Sequence, residues 1–576
     1  MALADQSERL AYRLAAAAAV GLALGSVAAW AQDADTAGPP TAPTAKPTPQ
    51  AGTGGLYSPG PGWQINLGAT VSGTFTDNAD QGGGAGFGAP TPQPTGGVSG
   101  RRRSEFITTF SPTLSISGDT PRVQANLYYS PSYSIYASDS RQNYFSQYLN
   151  GRAHAIVWED RVYVDAYAYA SQVPQYGGQV FGQTVVGPDG VPVPVNNAGV
   201  SRQNLAQVST FSITPTAVQQ FVGWGTATAS ATYGLSTSSA PRFQQTPNGF
   251  EQISAAGRSE SLSESIQFVT GENLGRWQDS AYGTLTQFSG NGASQGGSTM
   301  TARNTLSYAV NRWLTVMGAI GYQSARYPGA LTVTSNTTPT AQARPYKFDG
   351  IYWNGSVKVI PNSDSQITVG YGRSWGGEQF NADASYAVTA RTTLTFRYDT
   401  SFGSSLYQLQ QNIAGGGAPG VPPPPPINNG FLPGTQNIYR TNTLTASAST
   451  NWDVDAVSIS FASSEQRVVA TTIQQSGPAP VTPANGSSRS LSMTGSWSHQ
   501  FSDVMNGAFY ATLGRRTAIG VVSSGDNFLA TSANLRYTFS PSLTGSAQYS
   551  FYDLMSQTPN RSYIQNVITV SLSKQF

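Results

Sequence analysis

From Trp63 to Phe576 the chain alternates apolar and polar residues with period two, in segments of about 10 to 16 residues. In "RVQANLYYSPSYSIY", Val123, Ala125, Leu127, Tyr129, Tyr133 and Ile135 share one face. Arg122, Gln124, Asn126, Tyr128, Ser130, Ser132 and Ser134 share the other. In "SANLRYTF", Ala533, Leu535, Tyr537 and Phe539 oppose Ser532, Asn534, Arg536 and Thr538. Side chains of a strand point alternately to its two faces, so each segment is a two-faced strand. Soluble strands are mostly about 5 or 6 residues, whereas a tilted strand crossing a bilayer needs about 10.

The links between segments support the same reading. "SGDTPR", "VWEDRV", "AVNRWL", "VIPNSDS", "AVTART", "QFSDVM" and "TFSPSL" are tight turns rich in Pro, Asp, Asn and Ser. They alternate strictly with longer links such as Asp77–Arg103, Gln175–Ser201, Tyr327–Arg344 and Gly403–Tyr439. Short periplasmic turns and long outer loops are the habit of outer-membrane barrels. Tyr136, Trp158, Trp224, Trp313, Tyr322, Trp375, Tyr398 and Tyr537 fall near segment ends, where interfacial girdles sit. Charged residues are 10% of the chain, against about 25% in an ordinary soluble protein. The fold expected is all-β: one transmembrane antiparallel β-barrel of about 22 strands, within roughly 18 to 24, and of even number.

Three parts follow. Residues 1–31 read as a secretory signal peptide, with "LAAAAAVGLALG" as its apolar run and Ala29 and Ala31 at the cleavage site. Residues 32–62, rich in Pro, Thr and Ala, read as a disordered periplasmic leader, too short to fold as a plug. Residues 63–576 are the barrel. This places the protein in the Gram-negative outer membrane, with lipid, lipopolysaccharide and the barrel-assembly machinery as partners. The net charge of +2 gives no footprint for nucleic acid. The chain has no cysteine, which excludes disulfides and thiolate metal sites.

Arg101–Ser171 carries a more specific pattern. "G-x-x-x-R" at Gly118–Arg122 is followed by a Tyr-rich strand, by Asn143 to Ala153 ending "LNGRA", and by "DRVYVDA" at Asp160–Ala166. "QVSTFSITPT" at Gln207–Thr216 continues it. This order resembles the outer-membrane β-barrel family associated with PEP-CTERM/exosortase and exopolysaccharide loci. The resemblance implies an outer-membrane barrel linked to polysaccharide export, with polysaccharide-export components as partners and no catalytic residues.

The polar faces of two neighbouring segments form a candidate site. Tyr144, Tyr148, Asn150, Arg152 and His154 share one face, and Tyr163, Asp165, Tyr167 and Tyr169 another. A charge on the lipid side costs about 2–4 kcal/mol at mid-membrane, so these faces should point inward, with Tyr128 extending them. They are either a sugar-contacting wall or a polar packing that stabilises the barrel. The two histidines, His154 and His499, lie on distant segments without a nucleophile motif, and no metal spacing appears, so neither an enzyme nor a cofactor is expected. "GGGAGFG" and "GVPPPPPINNG" read as a flexible loop and a stiff spacer. Arg101–Arg103 form either a contact for lipopolysaccharide phosphates or a solvated charge run.

The chain ends "NVITVSLSKQF", with Ile568, Val570, Leu572 and Phe576 on one face, the pattern of a barrel-assembly signal. Lys574 interrupts it but lies where a lysine can snorkel to the rim. The function expected is a passive channel or export-associated barrel for polysaccharide or other neutral polar solutes. A general or sugar porin, or a structural or adhesive surface barrel, stands as the alternative. The lumen is either open or entered by the outer loops.

Overall fold

A computed structural model describes residues 62–79, 103–174, 185–186, 192–193, 205–246, 249–291, 294–333, 345–414, 437–470, 472–475, 487–519, 525–557 and 562–576. Ala29 and Ala31, the leader up to residue 61, Arg101, Arg102 and the Gly-rich and Pro-rich segments lie outside the described residues.

Twenty-two strands form one antiparallel sheet that closes on itself. They are β1 (Trp63–Thr76), β2 (Glu105–Asp119), β3 (Val123–Tyr136), β4 (Tyr144–Trp158), β5 (Val162–Pro174), β6 (Leu205–Phe221), β7 (Gly225–Thr246) and β8 (Gly249–Thr270). Next come β9 (Trp277–Gly290), β10 (Ser298–Asn311), β11 (Leu314–Tyr327), β12 (Tyr346–Asn362), β13 (Ser365–Ser374), β14 (Gly377–Thr389) and β15 (Thr392–Ser404). After the helix α1 (Ser405–Ala414) follow β16 (Ile438–Asn451), β17 (Asp455–Ala470), β18 (Ser488–Ser502), β19 (Met505–Ala518), β20 (Gly525–Ser540), β21 (Leu543–Ser556) and β22 (Tyr563–Gln575). Each strand pairs with its chain neighbours. β22 returns to β1, with Val567 opposite Thr76 and Gln575 opposite Gly68. Closure lets the strands pair their backbone N–H and C=O groups with one another, the condition for strands in lipid, and removes the open sheet edges.

The two faces separate as the alternation requires. Leu67, Val71 and Phe75 of β1 and Ile568, Val570 and Leu572 of β22 are exposed outward, while Ser72, Thr74 and Thr76 are buried inward. The inward hydroxyls bond in pairs across neighbouring strands: Thr74 to Thr569 at 3.0 Å, Thr109 to Ser134 at 3.0 Å and Thr210 to Ser236 at 2.9 Å. The wall is therefore polar inside without leaving these groups unsatisfied. The seam is tied further at the outer end, where Gln565 Nε2 donates to Thr76 Oγ1 at 2.9 Å and Asn566 Nδ2 to Asp77 Oδ2 at 2.8 Å.

Short turns and both ends of the barrel share one rim, the periplasmic one. Lys574 reaches that rim, where its Nζ donates to Ser542 Oγ at 2.6 Å. Trp158, Trp224, Trp313, Tyr322 and Tyr537 are exposed outward near the rims, as girdle residues should be. Tyr136 and Trp375 are corrections to that expectation. Tyr136 is buried against Tyr144 inside the wall, and Trp375 packs on Phe402. The strict short-and-long alternation also fails twice. Only residues 247–248 separate the 22-residue strands β7 and β8, and only Trp375 and Gly376 separate β13 from β14. At the latter turn both residues have positive φ, 50° and 77°.

Candidate functional site

The inward faces of β3, β4 and β5 bring the predicted wall residues together. Register sets this: Asn126 lies opposite Arg152, Tyr128 opposite Asn150, Arg152 opposite Tyr167 and His154 opposite Asp165. The Arg152 guanidinium sits 4.6 Å over the Tyr167 ring, within the range of a cation–aromatic attraction. His154 Nδ1 lies 2.8 Å from Asp165 Oδ1, and its ring stacks on Tyr163 at 5.7 Å. Tyr148 meets Tyr128 at 5.8 Å and Tyr169 at 6.5 Å, both edge to face. Tyr144 packs higher, on Tyr136 at 6.3 Å. Ring contacts thus recur up the three strands, with the charged groups toward the lower end.

A second part of the lumen comes from the outer loop after β15. Gly403, at φ 150°, turns the chain, and Ser404 caps the helix by accepting the Tyr407 N–H at 3.2 Å. α1 then crosses the interior to the far wall. Ser261 Oγ of β8 donates to Gln410 Oε1 at 3.2 Å, and the Gln410 amide covers Gly234 of β7. Tyr407 meets Phe288 of β9 edge-on at 4.8 Å, and its hydroxyl bonds to Thr286 and Gln411. Burial pushes that hydroxyl up to about 12. On the near side Thr441 Oγ1 of β16 donates to Gln408 Oε1 at 3.2 Å. Gln410 and Leu406 are almost wholly buried.

An aromatic cluster closes over α1 at the outer end. Phe288, Tyr327, Ala325, Ile438 and Ala470 form its buried core, with Tyr346, Phe348, Trp375, Phe402 and Tyr407 packed on it. Because the β13–β14 hairpin is short, the outer ends of β12 and β15 meet above it. Tyr346 and Phe402 come within 5.2 Å, and Trp375 stacks on Phe402 at 5.2 Å. Gln323 Oε1 accepts from the Trp375 N–H at 2.9 Å and from Ser374 Oγ at 3.0 Å, which holds the left-handed Trp375 in place.

Other predicted residues lie elsewhere. Phe576, Leu572, Val570 and Ile568 are on the lipid face, and the Phe576 N–H donates to the Leu67 carbonyl at 3.0 Å. His499 is on β18 at the periplasmic rim, 2.8 Å from Asp455, far from His154. Arg103 lies near two carboxylates, 3.7 Å from Glu105 and 3.6 Å from Asp139. Two features were missed. One is α1, although Leu406, Leu409 and Ile413 in "SSLYQLQQNIA" are spaced for a helix face. The other is Arg303 of β10, 5.1 Å over the Tyr282 ring of β9, a second cation–aromatic pair on the inner wall.

No family model and no curated protein matches the chain. Among solved structures it is similar to the FrpB iron transporter of Neisseria meningitidis (F5-1 variant), with 8% identity, 89% of this chain and 81% of that one covered, and a TM-score of 0.46. It is similar to the siderophore receptor PiuA of Acinetobacter baumannii, with 8% identity, 88% and 82% covered, and a TM-score of 0.45. The ferric-catecholate import receptor Fiu of E. coli K12 in its closed form has 10% identity, 88% and 81% covered, and a TM-score of 0.45. At these values the likeness assigns no ligand to this chain. The expected passive channel for polysaccharide or neutral solutes, with its porin alternative, is corrected here. α1 with its aromatic cover stands in the lumen that a passive passage needs open.

Proposed function

We propose that the protein is an outer-membrane uptake receptor: it takes a bulky ligand at the outer mouth and admits it through a lumen gated by α1. The observation that carries this is α1 itself, seated across the interior and held by side-chain hydrogen bonds and one aromatic contact. Such contacts are individually worth about 1 kcal/mol, so the helix can be displaced without unfolding the wall. Closure at 22 strands is in keeping, because barrels of that size serve as transporters with an occupied lumen rather than as open pores.

The ligand class we propose is an anionic aromatic metal chelate, of the ferric-catecholate kind. Arg152 over Tyr167 and Arg303 over Tyr282 offer positive charge beside ring faces on the inner wall. That pairing suits a ligand carrying both negative charge and aromatic rings. The test is titration of the purified barrel with a ferric catecholate, read by quenching of its tryptophan and tyrosine fluorescence. Saturable micromolar binding, weakened at least tenfold in Arg152→Ala and Arg303→Ala, is expected. Binding that is absent, or indifferent to both substitutions, overturns the ligand class.

A further inference from the structure

Charges on the lipid-facing side of the barrel keep to its two rims, as with Arg326, Lys347, Glu465 and Arg489 outside and Lys574 at the periplasm. Glu264 breaks this rule. It alternates with Leu262 and Ile266 on the outward face of β8, and Ile266 is 46% exposed. It is exposed too, six residues above Thr270, the periplasmic end of its strand. Among the described residues no hydrogen bond or ion pair reaches its carboxylate. A charge facing lipid at that depth is costly, so the residue calls for a partner.

The surface beside it supplies the form of that partner. Between β8 and β11 lies an outward groove of about 370 Å³, with Ala281, Gly283 and Ala302 as its floor and Ile266 and Ile320 as its walls. Gly283 lies opposite both Ile266 and Ala302 in the sheet, so the floor is a single patch. Across it stands Asn304 of β10, seven residues above Asn311, the periplasmic end of its strand. Glu264 and Asn304 therefore flank the small-residue floor at nearly the same depth. Asn304 Nδ2 donates to Asp279 Oδ2 at 3.1 Å, and a primary amide has a second N–H to give.

We propose that this groove is the interface between two copies of the chain side by side in the membrane. Copies inserted the same way are related by a two-fold axis along the membrane normal. If that axis passes over Gly283, the Glu264 carboxylate of each copy meets the Asn304 amide of the other, as an isologous contact demands. Small residues let the two walls approach closely, and Ile266 and Ile320 of each copy enter the groove of the other. A lipid acyl chain would fill the apolar floor but leaves the carboxylate without a donor. A second copy supplies the donor at the right depth.

The chain has no cysteine of its own, so introduced cysteines report proximity directly. The test co-expresses full-length Glu264→Cys and Asn304→Cys chains and oxidises the intact membranes. A cross-linked dimer of the two chains is expected. Val570→Cys, on the outward face of β22, should give no cross-link, and Gly283→Phe added to the pair should reduce the dimer at least tenfold. Migration of the unheated barrel on gels confirms that each variant is folded. Folded Glu264→Cys and Asn304→Cys chains that stay uncross-linked, or that cross-link to another protein, overturn the proposal. So does equal cross-linking at Val570→Cys.

Discussion

Gly234 has no side chain, and the Gln410 amide occupies the space that one would fill. This is a glycine whose smallness serves a close approach, not a turn. Gly234→Leu should therefore unseat α1 while leaving β7 in its ladder, and a faster cleavage of the 405–414 segment by protease in the folded barrel would report it. Tyr407 makes a pH-dependent claim at the same scale. Its folded value is raised, from about 10 to about 12, so the neutral hydroxyl is the docked form. The contribution to docking is complete below pH 10 and is lost as pH rises from 10 to 12. Protease sensitivity of α1 should climb through that window in the native chain, and Tyr407→Phe should abolish the climb. Single residues of the wall were legible in the sequence, because Arg152, His154 and Asp165 cannot face lipid cheaply. The contact between Gly234 and Gln410 was not, since 176 positions separate them in the chain.

At the scale of elements, α1 is the part whose movement the proposed uptake requires. Ser261 and Gln410 are hydrogen-bonded across the lumen, and the chain has no other thiol to interfere. A Ser261→Cys, Gln410→Cys variant should lock α1 on oxidation. Uptake should then fall at least tenfold and recover on adding reductant. Uptake that is unchanged when the disulfide is complete would remove α1 as a gate. The strands themselves were readable one by one because the period-two pattern is local. The short β13–β14 hairpin was not, because its length matters only through what closes above it: the stacking of Trp375 on Phe402 and the meeting of β12 with β15.

For the whole molecule the decisive event is the return of β22 to β1. Ile568 lies opposite Phe75 on the lipid face of this seam, seven residues above the end of β22. Ile568→Arg should destabilise the barrel by about 2–4 kcal/mol, measured by denaturant unfolding from lipid vesicles. Deleting Phe576 removes the last seam hydrogen bond, to the Leu67 carbonyl, and should slow outer-membrane insertion. Normal insertion would count against the terminal strand as an assembly signal. The sequence by itself determined the class of fold and bounded the number of strands, roughly 18 to 24. Alternation is a property of neighbouring residues, and lipid permits strands only when they close. It also determined which side chains face inward on β3, β4 and β5. What only the tertiary structure decided is what fills the lumen and what marks the outer wall. α1 crosses the interior to strands far from it in the chain, and Glu264 and Asn304 share a depth only through the stagger of three tilted strands. Both depend on register around a closed sheet, and no local pattern in the chain encodes that.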